Sequence, residues 1–240
     1  DALPILNYNN EGLYRRNLLT SGINIRYNGP HISFNSQTSY QYIQDKMGID
    51  QDFSPRNIFY GQNKIRQHMY CQEFTVKSVN KSRYHWITGA FVFRQTINRK
   101  VDLSRFTDTT RHLTNSGIPT QGIAFYHQST LDLLQGLSCS VGLRYDYEHA
   151  RCDFSKVQQP LNGNGETKSL EQFNRSLHFG QFTPRFSMQY LSSHNQLFYA
   201  SVSKGYKAGG FNVSFLNNDD YLYSPEYNWN YEIRSEERRV

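Results

Sequence analysis

Three carboxylates, Asp45, Asp50 and Asp52, fall within one short segment, and hard oxygen donors at that density could hold a divalent cation. The segment has neither the remaining oxygen ligands nor the turn glycine of an EF-hand loop, so a solvated loop is the better reading and no metal site is expected. His127, Asp132 and Ser138 supply the residue types of a hydrolytic triad, yet no nucleophile elbow surrounds Ser138, and no catalytic residue is assigned. Gly205, Gly209 and Gly210 have the look of a phosphate cradle. No helix pattern follows them and no Lys-Ser/Thr pair closes the motif, so their expected role is to let a strand bend and leave the wall without Cβ clashes. The eight histidines are dispersed, and Cys71, Cys139 and Cys152 show no metal-ligand spacing. Cys139 and Cys152 could pair only if the chain doubled back between them, and the alternation between them argues that it does not.

What remains is recognition by aromatic and cationic groups. Phe53, Arg56, Phe59, Tyr60, Arg111, His112, Lys207, Phe211, Phe215, Tyr221 and Tyr223 all fall in polar, Gly- and Pro-bearing stretches. Rings beside cations suit a bulky, anionic small molecule. Packing of these residues on one another is the competing reading for each.

The elements that must carry these residues are strands. In 183–191, Phe186, Met188 and Tyr190 alternate with Arg185, Ser187 and Gln189, which separates an oily from a wet face. Elsewhere Gly22, Asn24 and Arg26 oppose Ile23, Ile25 and Tyr27, and Glu73, Thr75 and Lys77 oppose Phe74 and Val76. Arg144, Asp146 and Glu148 oppose Val141, Leu143, Tyr145 and Tyr147. Three charges on one face cannot sit against lipid or a dry core without several kcal/mol per ion, so a watery lumen is expected for Arg144, Asp146, Glu148 and Arg185. Tyr145, Tyr147, Tyr190, Phe198 and Trp229 are assigned to a lipid-facing wall or interfacial girdle. The stretch 86–93 is apolar on both parities, and periodicity leaves its faces open.

Turn signals at 28–30, 79–82, 134–136 and 192–195 lie roughly 50 to 60 residues apart. That interval fits two strands of about ten residues and one long loop, the asymmetry of an outer-membrane barrel. The long loops are expected at about 43–65, 97–119, 150–175 and 207–226. Composition agrees. Hydrophobic residues reach only 37% while 18 Tyr and 16 Phe bring aromatics to 15%, and no apolar run approaches the ~18 residues of a membrane helix. The net charge of +6 is scattered along the chain, so no nucleic-acid partner is expected.

The segment from Tyr199 through Lys204-Gly205-Tyr206-Lys207-Ala208-Gly209-Gly210-Phe211-Asn212, with Ser224-Pro225-Glu226-Tyr227 and Tyr231-Glu232-Ile233 after it, resembles the barrel of TonB-dependent outer-membrane receptors. Gly122-Ile123-Ala124-Phe125-Tyr126 leading to Val141-Gly142-Leu143-Arg144-Tyr145-Asp146 is similar to the preceding strand pair of that family. A third, more degenerate match runs from Asn35 through Asp50–Pro55 to Trp86–Gly89. The resemblance implies an all-β, antiparallel transmembrane barrel, present in part as about eight or nine strands over 1–233, with the family's plug domain absent. It implies a bacterial outer-membrane location and contact with outer-membrane lipid. It further implies uptake of a scarce nutrient such as a ferric siderophore through a full-length receptor coupled to the TonB complex, with no cofactor and no enzymatic activity. The charge run of 234–240 departs from the family pattern and is read as a non-native tail, the in-frame translation of a sequencing adapter. A soluble or surface carbohydrate-binding β-sandwich is the alternative from a different class, and a passive porin a third.

Overall fold

The computed structural model describes residues 9–193, 196–213 and 221–237. Every regular element among them is a strand: β1 (Leu13–Asn28), β2 (Ile32–Asp50), β3 (Phe59–Ser78), β4 (Tyr84–Arg105), β5 (Thr110–Leu134), β6 (Leu137–Pro160), β7 (Lys168–Leu191), β8 (Gln196–Lys207), β9 (Gly210–Phe211), β10 (Leu222–Tyr223) and β11 (Glu226–Glu237). Nine of them form one antiparallel sheet in the order β1-β2-β3-β4-β5-β6-β7-β8-β11, while β9 and β10 make a separate two-residue hairpin. The sheet is a long meander that does not close on itself, as expected for part of a barrel.

The four tight turns fall where Gly, Asn, Ser and Pro mark them, between β1 and β2, β3 and β4, β5 and β6, and β7 and β8; His194 and Asn195 of the last lie outside the described residues. At the β5–β6 turn Gly136 has φ +82°, and a Cβ there would also run into the Leu191 carbonyl, so the position requires glycine.

At the opposite end the loops are shorter than their composition suggests. The expected loops at 43–65, 97–119 and 150–175 shrink to the segments between Asp50 and Phe59, Arg105 and Thr110, and Pro160 and Lys168. The missing residues are paired: Gly48 stands opposite both Leu13 and Gln62, and Asp50 opposite Tyr60, so the ladder runs on to the end of β2. Strand β6 has 24 residues, about 80 Å at the usual rise, whereas about 9–11 tilted residues cross a membrane. The sheet therefore projects well past any bilayer.

The two faces follow the alternation. Val141, Leu143, Tyr145 and Tyr147 of β6 lie beside Phe125 and Ile123 of β5 and Phe182 and Phe186 of β7, and all eight are exposed. The opposite face carries Arg144, Asp146 and Glu148. The ambiguous stretch 86–93 is resolved by register: Trp86, Ala90 and Val92 share the apolar face with Ser129, Phe125 and Ile123, while Gly89, Phe91 and Phe93 share the polar face with Tyr126, Ala124 and Gly122.

One small core exists among the described residues. Ala150, Cys152 and Phe154, on the polar parity of β6 but beyond its charged stretch, are buried with Phe211, and Ile118, Phe173, Leu177 and Val213 pack around them.

The charge run after Ile233 continues β11. Arg234 stands opposite Tyr199 and Glu236 opposite Leu197, and Arg234 lies 3.2 Å from Glu232.

Candidate functional site

The site is the polar face of the sheet and the loop ends above it. On β6, Arg144 reaches along its own strand to Asp146: Nε donates to both carboxylate oxygens at 3.0 and 2.9 Å, and Nη2 donates at 2.7 Å. The guanidinium also lies over the rings of Phe91 and Tyr126, 6.0 and 5.9 Å from their centroids. Tyr126 in turn donates to Glu73 at 2.8 Å and is 2.9 Å from the Thr75 hydroxyl. Arg185 donates to the Tyr199 hydroxyl at 3.0 Å. Two groups of charge and phenol, one from β3 to β6 and one from β7 to β8, thus share one face. Phe91, Tyr126 and Glu73 were not among the expected site residues; their membership in the wet parity was the available signal, hidden for Phe91 by an apolar run.

Farther along the strands the same face changes character. After β8 the chain turns back over the wall: Gly210 pairs with Tyr223 and Phe211 with Leu222, and Asn212 N–H donates to the Tyr221 carbonyl at 2.9 Å. Phe211 is buried on Cys152 and Phe154. Phe173 stacks on Phe154 at 4.9 Å and meets Tyr221 at 5.4 Å. Close approach explains the glycine at 209, where a Cβ would come within 2.8 Å of the Phe179 ring. The ladder between β7 and β8 begins only at Arg185 and Ser203, next to Pro184, which has no N–H to offer. From there β8 stays with β11 while β7 continues paired with β6 only.

The expected ligand-contact residues divide into three places. Phe53 and Arg56 are exposed in the β2–β3 loop, Phe53 with φ 50°. Asp52 organises that loop: one carboxylate oxygen accepts from Ser54 N–H and Oγ, the other from Ile58 and Phe59 N–H at 3.3 and 2.8 Å. These bonds hold the Asp52 carboxyl below its ordinary pKa, the Ser54 hydroxyl contributing most. Phe59 and Tyr60 open β3, and Arg111 and His112 open β5. Register places Phe59 and His112 on the face that carries Arg144, with Arg105 over the Phe59 ring at 5.8 Å. Tyr60 and Arg111 take the other parity, where Arg111 donates to Gln159 at 3.3 Å and stands 3.9 Å from Asp102. Burial, followed by the charge of Lys156, lowers the His112 pKa, and its Nε2 is buried without a hydrogen-bond partner. Lys207, Phe211, Tyr221 and Tyr223 form the third group, with Lys207 3.2 Å from Glu226 and 5.8 Å from the Tyr223 centroid. Phe215 lies outside the described residues.

The alternative chemistries find no geometry. Asp45 pairs with Arg16 at 2.6 Å, a contact that lowers its pKa. Asp50 accepts from Asn9 N–H at 3.0 Å. Neither joins Asp52, and no metal-binding cluster of three such side chains occurs among the described residues. His127 is on the opposite face from Asp132 and Ser138, bonded to Ser129 at 3.0 Å. Cys139 and Cys152 lie on opposite faces of the same strand, and all three cysteines are free.

Comparison with known proteins agrees with this architecture. The family described as "TonB dependent receptor-like, beta-barrel" matches residues 3–235. Among solved structures, the ferric yersiniabactin uptake receptor FyuA from Yersinia pestis is similar over 95% of this chain and 34% of its own, with TM-score 0.81 and 14% identity. The siderophore receptor PiuA from Acinetobacter baumannii is similar over 96% of this chain and 39% of its own, with TM-score 0.71 and 10% identity. The unliganded ferric citrate transporter FecA is similar over 81% and 28%, with TM-score 0.58 and 12% identity. The chain thus spans between a quarter and two fifths of the length of these receptors.

Proposed function

The chain belongs to the TonB-dependent receptor family, as a stretch of its outer-membrane β-barrel, and on that premise we propose that it is one wall of a receptor that takes up a ferric siderophore or a comparable anionic iron complex in a TonB-coupled step. The family is one of transport receptors of the outer membrane, not of enzymes. Three solved neighbours are, by their descriptions, receptors or transporters of ferric yersiniabactin, a siderophore and ferric citrate, which supports iron complexes as the cargo class.

The observation that carries the proposal is the pairing of two opposite surfaces on one sheet. One face presents Val141, Leu143, Tyr145 and Tyr147, exposed as lipid contact requires. The other carries Arg144, Asp146, Glu148 and Arg185, which in this reading face the lumen and the plug. A soluble sandwich would bury the apolar face under a second sheet; here it is bare along the nine-stranded sheet. Phe59 and His112 from one side of the mouth, and Tyr221, Tyr223 and Lys207 from the folded-in segment, then offer rings and cations to the ligand. Phe53 and Arg56 reach it from the β2–β3 loop, Tyr60 and Arg111 from the rim, and Phe211 anchors the folded-in segment. Within this reading residues 1–233 are barrel and 234–240 an appended tail, which the nucleotide sequence beyond codon 233 tests directly.

The functional test uses the full-length receptor in cells grown under iron limitation, offered radiolabelled ferric citrate, a ferric hydroxamate and a ferric catecholate. Saturable uptake of one complex that stops when TonB is deleted is the expected outcome. Uptake that is unsaturable and unaffected by TonB would make the protein a passive pore instead.

A further inference from the structure

Three Asn-Gly pairs occur in the chain, Asn28-Gly29, Asn162-Gly163 and Asn164-Gly165. In such a pair the backbone nitrogen of the glycine can attack the side-chain carbonyl carbon of the asparagine, because glycine has no side chain to stand in the way. The nitrogen must first give up its proton. A hydrogen bond from that N–H therefore holds the reaction back, and a bond to the asparagine Oδ1 fixes the rotamer.

The fold treats the three pairs differently. At the β1–β2 turn Gly29 N–H donates to the Ile32 carbonyl at 2.9 Å, and Asn28 Oδ1 accepts from the Ser33 hydroxyl at 2.8 Å. In the β6–β7 loop Gly163 N–H donates to the Pro160 carbonyl at 3.2 Å, and Asn162 Oδ1 accepts from Asn164 N–H at 3.1 Å. Asn164 is under neither restraint. Its side chain makes no hydrogen bond and Gly165 N–H has no acceptor among the described residues, and both residues are exposed. Gly165 has φ +136°, and a Cβ there would come within 2.8 Å of the Pro160 ring, so the residue that follows Asn164 is held to glycine.

We propose that Asn164 is a self-modification site, where the side-chain amide is lost by ring closure onto Gly165. The Gly165 nitrogen, its proton taken by hydroxide, forms a bond to Asn164 Cγ. The Cγ–Nδ2 bond breaks, ammonia leaves, and a five-membered succinimide remains. Water then opens the ring at either carbonyl to leave aspartate or isoaspartate. The net change is amide plus water to carboxylate plus ammonia, with no oxidant or reductant. Segment 161–167 carries one carboxylate, Glu166, and no cation, so the product doubles its negative charge. Isoaspartate also adds a methylene to the backbone, at a place between Pro160 and Lys168 where the chain belongs to no strand. The loop stands at the end of the sheet where the ligand-contact residues gather, and the gained carboxylate opposes an anionic complex as the receptor ages. That consequence rests on the cargo class proposed above, whereas the ring closure does not.

The test is incubation of the full-length receptor in detergent and mildly alkaline buffer, with each Asn-Gly peptide followed by mass spectrometry for amide-to-carboxylate exchange and by fragment ions that separate isoaspartate from aspartate. A hydrogen bond of ordinary net strength that must break before the attack slows it about fivefold, so Asn164 should react at least about fivefold faster than Asn162 and Asn28. In the denatured receptor the three rates should converge. Asn164→Gln should abolish the product at this position, since closure would need a six-membered ring, and should leave Asn162 slow. Asn162 or Asn28 reacting as fast as Asn164 in the folded protein, an Asn164 that reacts only after denaturation, or a product free of isoaspartate would each overturn the assignment. None of these readouts involves nutrient uptake, so they stand or fall separately from it.

Discussion

The two halves of β6 are built to opposite plans. In Leu137–Glu148 the odd positions are apolar and bare while the even ones carry Arg144, Asp146 and Glu148; in His149–Pro160 the even positions Ala150, Cys152 and Phe154 are buried and the odd ones carry Arg151 and Asp153. The ladder with β7 runs in one register through the changeover, and its shift comes only later, between Lys156 and Val157. What differs, in the proposed reading, is the surroundings on each side, lipid against a watery lumen in the first half, water against a folded-in segment in the second. A strand can thus reverse its polarity without a bulge, and the reversal marks where the apolar band ends.

The contrast can be broken most forcefully at the core of the second half. Phe154→Ala removes a ring stacked on Phe173 and clustered with buried Phe211, and a truncation of this kind costs about 3–5 kcal/mol. The expected loss is local, with amides of the β9–β10 hairpin becoming exchange-labile while the turn-proximal ladder stays protected. In the first half the sensitive change is a charge on the bare face. Leu143→Arg should destabilise the receptor in lipid by about 2–4 kcal/mol, measured by reversible denaturant unfolding, whereas Gln172→Arg, on the same face beyond the band, should change it by less than about 1 kcal/mol. A smaller effect is expected on the polar face. A Cβ at Gly89 would meet the Tyr126 phenol and come within 2.7 Å of the Phe74 carbonyl, so Gly89→Ala should cost about 1–3 kcal/mol and shift the Tyr126–Glu73 hydrogen bond, visible as a change in Tyr fluorescence.

The smallest effect is confined to the β2–β3 loop. The Asp52 pKa is depressed in the folded protein, so its contribution is fully present above the ordinary carboxylate value and is lost as pH falls through the depressed one. Exchange of the Ile58 and Phe59 amides should accelerate over that acid range. Asp52→Asn should show the fast exchange already at neutral pH, with no change in the β6 ladder.

The same contrast explains what the sequence made legible. Alternation at Val141–Tyr147 and Phe186–Tyr190, and Gly, Asn and Ser at the turns, were enough for antiparallel strands, because a lipid-facing band demands a strict period of two, while the family was legible in the motif residues 199–212 and 224–233. Past the band neither face has to be uniformly apolar, so the period fades and paired strand reads as loop, as at 43–50 and 150–160. The stretch 86–93 was ambiguous for the complementary reason: Phe91 is an aromatic on the wet face, held there by Arg144, and periodicity has no term for a ring that serves a cation. The ligand-contact residues were identifiable by type, but only register separates Phe59 and His112 from Tyr60 and Arg111.

The central claim, a polarity reversal along a membrane-crossing wall, is tested most directly by spin labels placed singly at positions 141 to 155 of β6 in the lipid-embedded full-length receptor, with Cys71, Cys139 and Cys152 replaced by serine. Collision with dissolved oxygen should be high at 141, 143, 145 and 147, low at 144 and 146, and should give way to a water-soluble paramagnetic reagent at 151, 153 and 155. Odd positions that stay uniformly water-accessible from end to end would contradict the account.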